Sequence, residues 1–162
     1  SNKLGWNRVS TPLCSIIGRL TRFLLIMEAD LEKIYKGSCH CGQVTYQVLL
    51  DFTNGTQRCN CTYCTKTRNW SIRTTPDKFR LLQGADALSD YQGSTHKIFC
   101  RFCGTNLYYY WNVPEMGGEF LTIRVNTLDD VSNDEILQGP IHYLDGKNDN
   151  WWQEPQDTRT LW

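Results

Sequence analysis

From Gly37 onward the chain alternates apolar and polar residues with the period of a strand. Val44, Tyr46 and Val48 alternate with Gln43, Thr45 and Gln47, which sets one face of a strand toward a core. Phe120, Thr122 and Arg124 alternate with Leu121, Ile123 and Val125, predicting a second strong strand. Residues 106–111 are aromatic and strand-like, and residues 79–82 form a short strand that stops at Gly84. Tyr91 precedes Gly93, and residues 95–99 lead into a cysteine pair. Asn54-Gly55 closes a turn that begins at Asp51. Upstream the period changes. Leu13, Ile16, Ile17, Leu20, Phe23, Leu24 and Met27 recur at helical spacing, predicting an amphipathic helix within residues 13–35 that docks on the body. From Asp129 on, with Pro140 and Pro155, the chain reads as loop-rich. No internal repeat or low-complexity run interrupts it. The expected architecture is mainly β with an N-terminal helical extension.

A length of 162 residues fits one domain plus an appendage. We place the extension at 1–29 and the domain at 30–162. Residues 1–27 hold Lys3, Arg8, Arg19 and Arg22 and no acid. With Ser10, Thr11 and Ser15 this resembles a weak transit peptide; the preferred reading is an extension ahead of a natural start near Met27. Seventeen Lys+Arg balance seventeen Asp+Glu, so nothing global attracts a polyanion, and nucleic acid is disfavoured as a partner. No apolar run approaches the roughly 20 residues that cross a bilayer, so no membrane partner is expected.

The eight cysteines change the picture. Seven form tight clusters: Cys39-His-Cys41, Cys59-Asn-Cys61-Thr-Tyr-Cys64 and Cys100-Arg-Phe-Cys103; Cys14 stands apart and is given no role. Cysteines one or two residues apart converge on one ion more readily than they form disulfides. With no convincing secretory signal, they imply a reducing, cytoplasmic setting. Gly42 and Gly104 follow two of the clusters and let the chain reverse there. Zinc takes four ligands. Seven cysteines therefore complete one site and leave a second one short. Cys39, Cys41, Cys100 and Cys103 make a natural set of four, a closed structural zinc. Cys59, Cys61 and Cys64 make a set of three, either open or completed by His40, His96, His142 or Asp77. Two zinc ions per chain are expected, with iron–sulfur ligation a lesser alternative because the usual spacings are missing.

An open three-thiolate zinc carries a net charge of −1 and is a weak Lewis acid. It generates hydroxide poorly and accepts a fourth, soft thiolate well. The expected partner is therefore a small thiol or thiol conjugate. Arg58, Lys66, Arg68 and Arg73 lie in an acid-free stretch after the strands; they are candidate carboxylate clamps, or else an ordinary solvated loop. Tyr63 and Trp70 in the same stretch line a pocket or belong to the core. His40, His96 and Tyr63 are candidates for proton transfer, of which His40 and Tyr63 are named here with the zinc-borne cysteines as catalytic. The rival functions are a zinc-scaffolded binding module and, more weakly, a redox sensor.

These residues also carry a resemblance. Gly37-Ser38-Cys39-His40-Cys41-Gly42 opens a strand. Cys59-x-Cys61-x-x-Cys64 follows, then Phe99-Cys100-x-x-Cys103-Gly104-Thr105-x-Leu107. Together they resemble the glutathione-dependent formaldehyde-activating enzyme family, which includes centromere protein V-type domains. Tyr91 with Gly93-Ser94, and Pro140-x-His142 with Lys147 and Trp151 or Trp152, agree with it over about residues 34–152. The resemblance implies a β-tent of small antiparallel sheets stapled by zinc. It implies a structural zinc on Cys39, Cys41, Cys100 and Cys103, and an active-site zinc on Cys59, Cys61 and Cys64. It implies a carbon–sulfur lyase that joins glutathione to formaldehyde as S-hydroxymethylglutathione. Residues 65–72 are more basic and aromatic than that pattern, and Tyr108-Tyr109-Tyr110-Trp111 is unusually aromatic. Both departures point to a wider or more apolar substrate than formaldehyde.

Overall fold

The computed structural model describes residues 31–161. Strand β1 (Lys33–Ser38) pairs antiparallel with β2 (Thr45–Leu50), Lys33 opposite Leu50 and Ser38 opposite Thr45. As the alternation predicts, β2 turns Tyr46, Val48 and Leu50 inward. Its free edge takes β5 (Phe79–Gln83), with a bulge between Thr45 and Tyr46. Gly37 on β1 faces the Tyr46 ring so closely that a Cβ there would lie 2.2 Å from Cζ. Only glycine lets the two strands pair over a tyrosine at that point.

The second sheet comprises β3 (Thr56–Cys59), β4 (Trp70–Thr74), β6 (Leu88–Gln92), β7 (His96–Cys100), β8 (Asn106–Val113), β9 (Gly118–Arg124) and β10 (Ile141–Leu144). Its spatial order is β10-β3-β4-β9-β8-β7-β6, antiparallel throughout except that β10 runs parallel to β3. The central strand β9 buries Phe120 to Arg124 in succession, so Thr122 and Arg124 are as inaccessible as the apolar residues between them. Side chains from both sheets form one core. Tyr46 packs on Phe79 at 5.2 Å between ring centroids, and Phe79 on Tyr108 at 4.7 Å. Tyr46, fully buried, contributes about 2 kcal/mol of hydrophobic stabilisation, and the partly buried Phe79 and Tyr108 less.

The structure is mainly β, as the pattern predicts, and it revises three stretches. Residues 33–35, read as the end of an amphipathic helix, lie in β1: Ile34 is exposed and Tyr35 buried, a period of two imposed by pairing with β2. The rest of that predicted helix, the extension 1–29 and Cys14 lie outside the described residues. The stretch 58–76 is no plain loop. It contains the end of β3, helix α1 (Thr62–Thr67) and β4. The loop-rich C-terminal part holds helix α2 (Asn133–Ile136), closed by a reciprocal Ser132–Glu135 capping box, and the edge strand β10. Among the described residues no helix is long and apolar enough to cross a membrane.

Candidate metal centres and active site

Two tight turns build the first centre. Cys39 follows β1, and Gly42 N–H closes on Cys39 C=O at 3.0 Å; Cys100 ends β7, and Gly104 N–H closes on Cys100 C=O at 2.8 Å. Both glycines are left-handed, at φ +74° and +73°, which completes each reversal without a Cβ penalty. The turns bring Cys39, Cys41, Cys100 and Cys103 within 4.8 Å of one another at sulfur. Cys39 and Cys41 Sγ are 3.5 Å apart, and Cys41 and Cys100 Sγ 3.7 Å. Sulfurs around a tetrahedral zinc stand about 3.8 Å apart, so the set fits such an ion. Val44 N–H donates to Cys39 Sγ at 3.3 Å. The Thr105 hydroxyl beside Cys103, with backbone N–H groups, brings that thiol down to about 5. His40 belongs here: it is exposed between Cys39 and Cys41, and its N–H donates to Thr105 Oγ1 at 3.2 Å.

The second centre sits where β3 gives way to α1. Cys59 is the last residue of β3, Cys61 caps α1 and Cys64 lies in its first turn. Cys61 Sγ accepts the Cys64 N–H at 3.4 Å, doing for the helix what a serine cap would do. Cys59 Sγ accepts the Cys61 N–H at 3.4 Å. The three sulfurs lie within 4.8 Å of one another. Hydrogen bonds from Cys59 and Cys64, aided by N–H groups, hold the Cys61 thiol down at about 2. The same sharing raises Cys64, mainly through Cys59, and raises Cys59, mainly through Cys61. The trio thus favours a thiolate at Cys61, a donor set suited to a thiophilic cation.

Among the described residues no fourth His, Cys, Asp or Glu joins this trio. His96 Nδ1 pairs with Asp90 at 2.6 Å in the β6–β7 hairpin. His142 Nε2 is 3.1 Å from the Asn54 carbonyl oxygen, and Asp77 sits in the 3-10 turn Pro76–Lys78. Among the described residues the ligands of this centre stop at three.

The surroundings come from three parts of the chain. Asn60, between two of the cysteines, donates to Asp145 Oδ1 at 2.6 Å and accepts the Lys147 N–H at 2.8 Å. That pins the loop after β10 against the centre. Gly146 is pressed there: a Cβ would lie 2.7 Å from Cys59 Sγ and 2.6 Å from the Trp151 ring. A narrow recess beside Cys59 and Cys64 is walled by Arg58, Arg68, Thr160 and Leu161. Arg58 stacks on the Trp70 ring at 4.5 Å, and burial lowers its pKa. Arg68 reaches the Thr160 carbonyl at 3.3 Å. Lys66 is exposed in the last turn of α1. Arg73 lies farther along β4, over the Phe120 ring at 3.9 Å and donating to the Met116 carbonyl at 2.6 Å. Of the four predicted clamps, Arg58 and Arg68 are therefore at the recess, and Arg73 is not. Tyr63 on α1 donates to Asn106 Oδ1 at 3.0 Å and stacks on Tyr91; burial raises its pKa, which keeps the phenol protonated.

A larger cavity of about 400 Å³ lies elsewhere, lined by residues that include Arg73, Lys78 and His142 but by no cysteine. Its size does not make it the reactive site, because it gathers no metal-binding or nucleophilic set. Sequence reasoning missed Asn60, Asp145 and Gly146. The Asp-Gly turn signal at 145–146 was visible, but nothing local reveals what the turn touches.

Residues 34–143 match the family described as glutathione-dependent formaldehyde-activating enzyme. A crystal structure of a Rhodobacter sphaeroides protein is similar to this fold, with a TM-score of 0.53 and 26% sequence identity; the alignment covers 65% of this chain and 98% of that one.

Proposed function

Because this chain belongs to the glutathione-dependent formaldehyde-activating enzyme family, we propose that it is a cytoplasmic, zinc-dependent carbon–sulfur lyase or thiol-adduct enzyme acting on glutathione or a related thiol conjugate. Residues 30–162 form the enzyme domain behind an extension at 1–29. Zinc occupies both cysteine centres, structurally at Cys39, Cys41, Cys100 and Cys103. The observation that carries the reading is the three-cysteine centre with no fourth protein ligand among the described residues, beside a cationic recess.

Bound at Cys59, Cys61 and Cys64, zinc supplies a soft Lewis acid that keeps a substrate sulfur as thiolate at neutral pH. Arg58 and Arg68 orient a substrate carboxylate at the recess. Trp151 and Leu161 restrict water. The substrate sulfur adds to a carbonyl carbon: an S–C bond forms, the C=O π bond opens, the oxygen takes a proton from the Tyr63 phenol, and the proton that the thiol released to solvent restores the phenol. The reverse sequence cleaves the S–C bond and returns the proton to Tyr63. Neither His40 nor His96 adjoins the three-cysteine centre, which leaves Tyr63 as the favoured donor among the predicted groups.

Cys61→Ser tests this. The variant is expected to lose one of two zinc ions per chain and its turnover of glutathione adducts. Loss of one ion with unchanged turnover overturns the catalytic role. The narrowness of the recess, with Leu161 buried in it, favours one rival, a zinc-scaffolded binding module. Titrating a small thiol into cobalt-substituted protein separates the two: a changed charge-transfer band supports the open site, and an unchanged band supports the module.

A further inference from the structure

Strand β9 ends on a cation that the chemistry above leaves unused. Arg124 is 3% exposed. Its Nη1 donates to Asn69 Oδ1 and to the Tyr109 hydroxyl, the latter at 3.4 Å. Its Nη2 donates to the carbonyls of Thr67 at 2.8 Å and Arg68 at 3.2 Å. Every one of these partners is neutral. Among the described residues none of the ion pairs includes Arg124, and its Nε is the one buried side-chain nitrogen or oxygen left without a hydrogen bond. A guanidinium withdrawn from water with no anion near it is strongly disfavoured, so a buried cation of this kind calls for a counter-charge.

The tether locates that counter-charge. Thr67, Arg68 and Asn69 are the end of the helix that carries Cys64 and is capped by Cys61. The N–H groups of Arg68 and Asn69 both close on the Cys64 carbonyl. From Cys64 to Thr67 the helix rises about 4.5 Å. Three thiolates on a divalent ion carry one net negative charge, and no cationic side chain other than Arg124 is so deeply buried against this helix. Lys97, 7% exposed, also lies over a ring of this helix, Tyr63, and over Tyr91, but it donates to the Thr95 carbonyl and not to the carbonyls at the helix end.

We infer that Arg124 is the buried counter-charge of the three-cysteine centre, a positioning residue that favours the anionic, metal-loaded state through the helix to which it is bonded. This rests on the proposal that the centre holds zinc. At an effective dielectric near 20, opposite unit charges on the order of 10 Å apart change an affinity by about tenfold, which sets the scale of the expected effect.

Asn69→Asp is the discriminating variant. It is isosteric and places a carboxylate on the atom that already accepts from Arg124, so the cation is neutralised without removing the helix contacts. Zinc affinity is measured by competition with a chromogenic chelator, alongside thermal unfolding and the cobalt spectrum. We expect the weaker-held zinc to lose about tenfold in affinity, the four-cysteine zinc to be unchanged, and the melting temperature not to fall. Unchanged affinity at both ions overturns the inference, because a residue that only caps the helix predicts that result. If N69D fails to fold, Arg124→Lys and Arg124→Met decide: loss in the methionine variant with retention in the lysine variant supports the counter-charge, and equal loss in both overturns it. A wild-type chain that binds one zinc ion overturns the functional reading itself, an outcome distinct from two ions that ignore Arg124.

Discussion

Gly146 gives the most stringent test of how the second centre is held. It contributes no ligand, yet a methyl group at this position would stand 2.7 Å from Cys59 Sγ and 2.6 Å from Trp151 Cη2. Ordinary contact begins near 3.5 Å, so in Gly146→Ala the sulfur contact must open by about 0.8 Å. Trp151 can yield, because the contact is with the far edge of a half-buried ring. Cys59 cannot yield cheaply. It is 6% exposed, its backbone is paired with Leu144 of β10, and its sulfur is held by the Cys61 N–H. Metal–ligand distances tolerate about 0.2 Å, so a sulfur pushed several times that far leaves the ion poorly held. The expected loss is about 10- to 100-fold in metal affinity, or roughly 1.4–2.7 kcal/mol. Overpacking adds a general destabilisation of about 1–3 kcal/mol. The assay is zinc release to a chromogenic chelator under native conditions, with thermal unfolding in parallel. Adding Trp151→Ala removes the ring contact and leaves the sulfur contact, so affinity should stay low in the double variant. If G146A alone keeps both ions at wild-type affinity, the contact does not constrain Cys59 and the reasoning fails.

Two further outcomes concern the scaffold. Gly37→Ala drives a methyl into the Tyr46 ring, which is fully buried and hydrogen-bonded at its hydroxyl to Thr127; chemical denaturation should show a loss of about 3 kcal/mol, and a wild-type midpoint would mean that β1 and β2 can part there at no cost. Glu135 is held down at about 2, first by Lys33 at 2.5 Å and then by the Ser132 N–H and hydroxyl. A folded value below the ordinary one of about 4.3 stabilises the protein fully above that pH and ceases to do so as pH falls toward 2. Glu135→Gln should therefore melt below the wild type at pH 7, with the gap closing by about pH 2, and a gap that persists in acid would assign the effect to packing instead.

The strands with a clean two-residue alternation were legible because burial on one face writes the period into the composition. This holds for β2, whose Tyr46, Val48 and Leu50 turn inward. It fails for β10, four residues long at the sheet edge and joined in parallel to β3, a partner more than 80 residues away. It fails also at residues 33–35, where apolar spacing carried over from the upstream run suggested helix while pairing with β2 imposed strand. The division of the cysteines could be read from counting, because ligand number is fixed by the ion and close spacing by the turn. The surroundings could not. Arg58 and Arg73 look alike in sequence, yet one walls the recess and the other is spent on Met116 and Phe120.

By itself the order of residues determined the chemistry available: which sulfurs share a turn, where glycine permits the reversal, and that seven clustered thiols divide into a set of four and a set of three. Those are properties of neighbours along a chain, set by bond lengths and backbone sterics. Only the tertiary structure decided which distant groups meet that chemistry. Asn60 and Asp145, Cys59 and Gly146, and the α1 carbonyls and Arg124 are brought together by sheet pairing across long sequence separations. Burial then turns such a meeting into a constraint, because in a space closed to water a misplaced methyl or an unmatched charge has nowhere else to go.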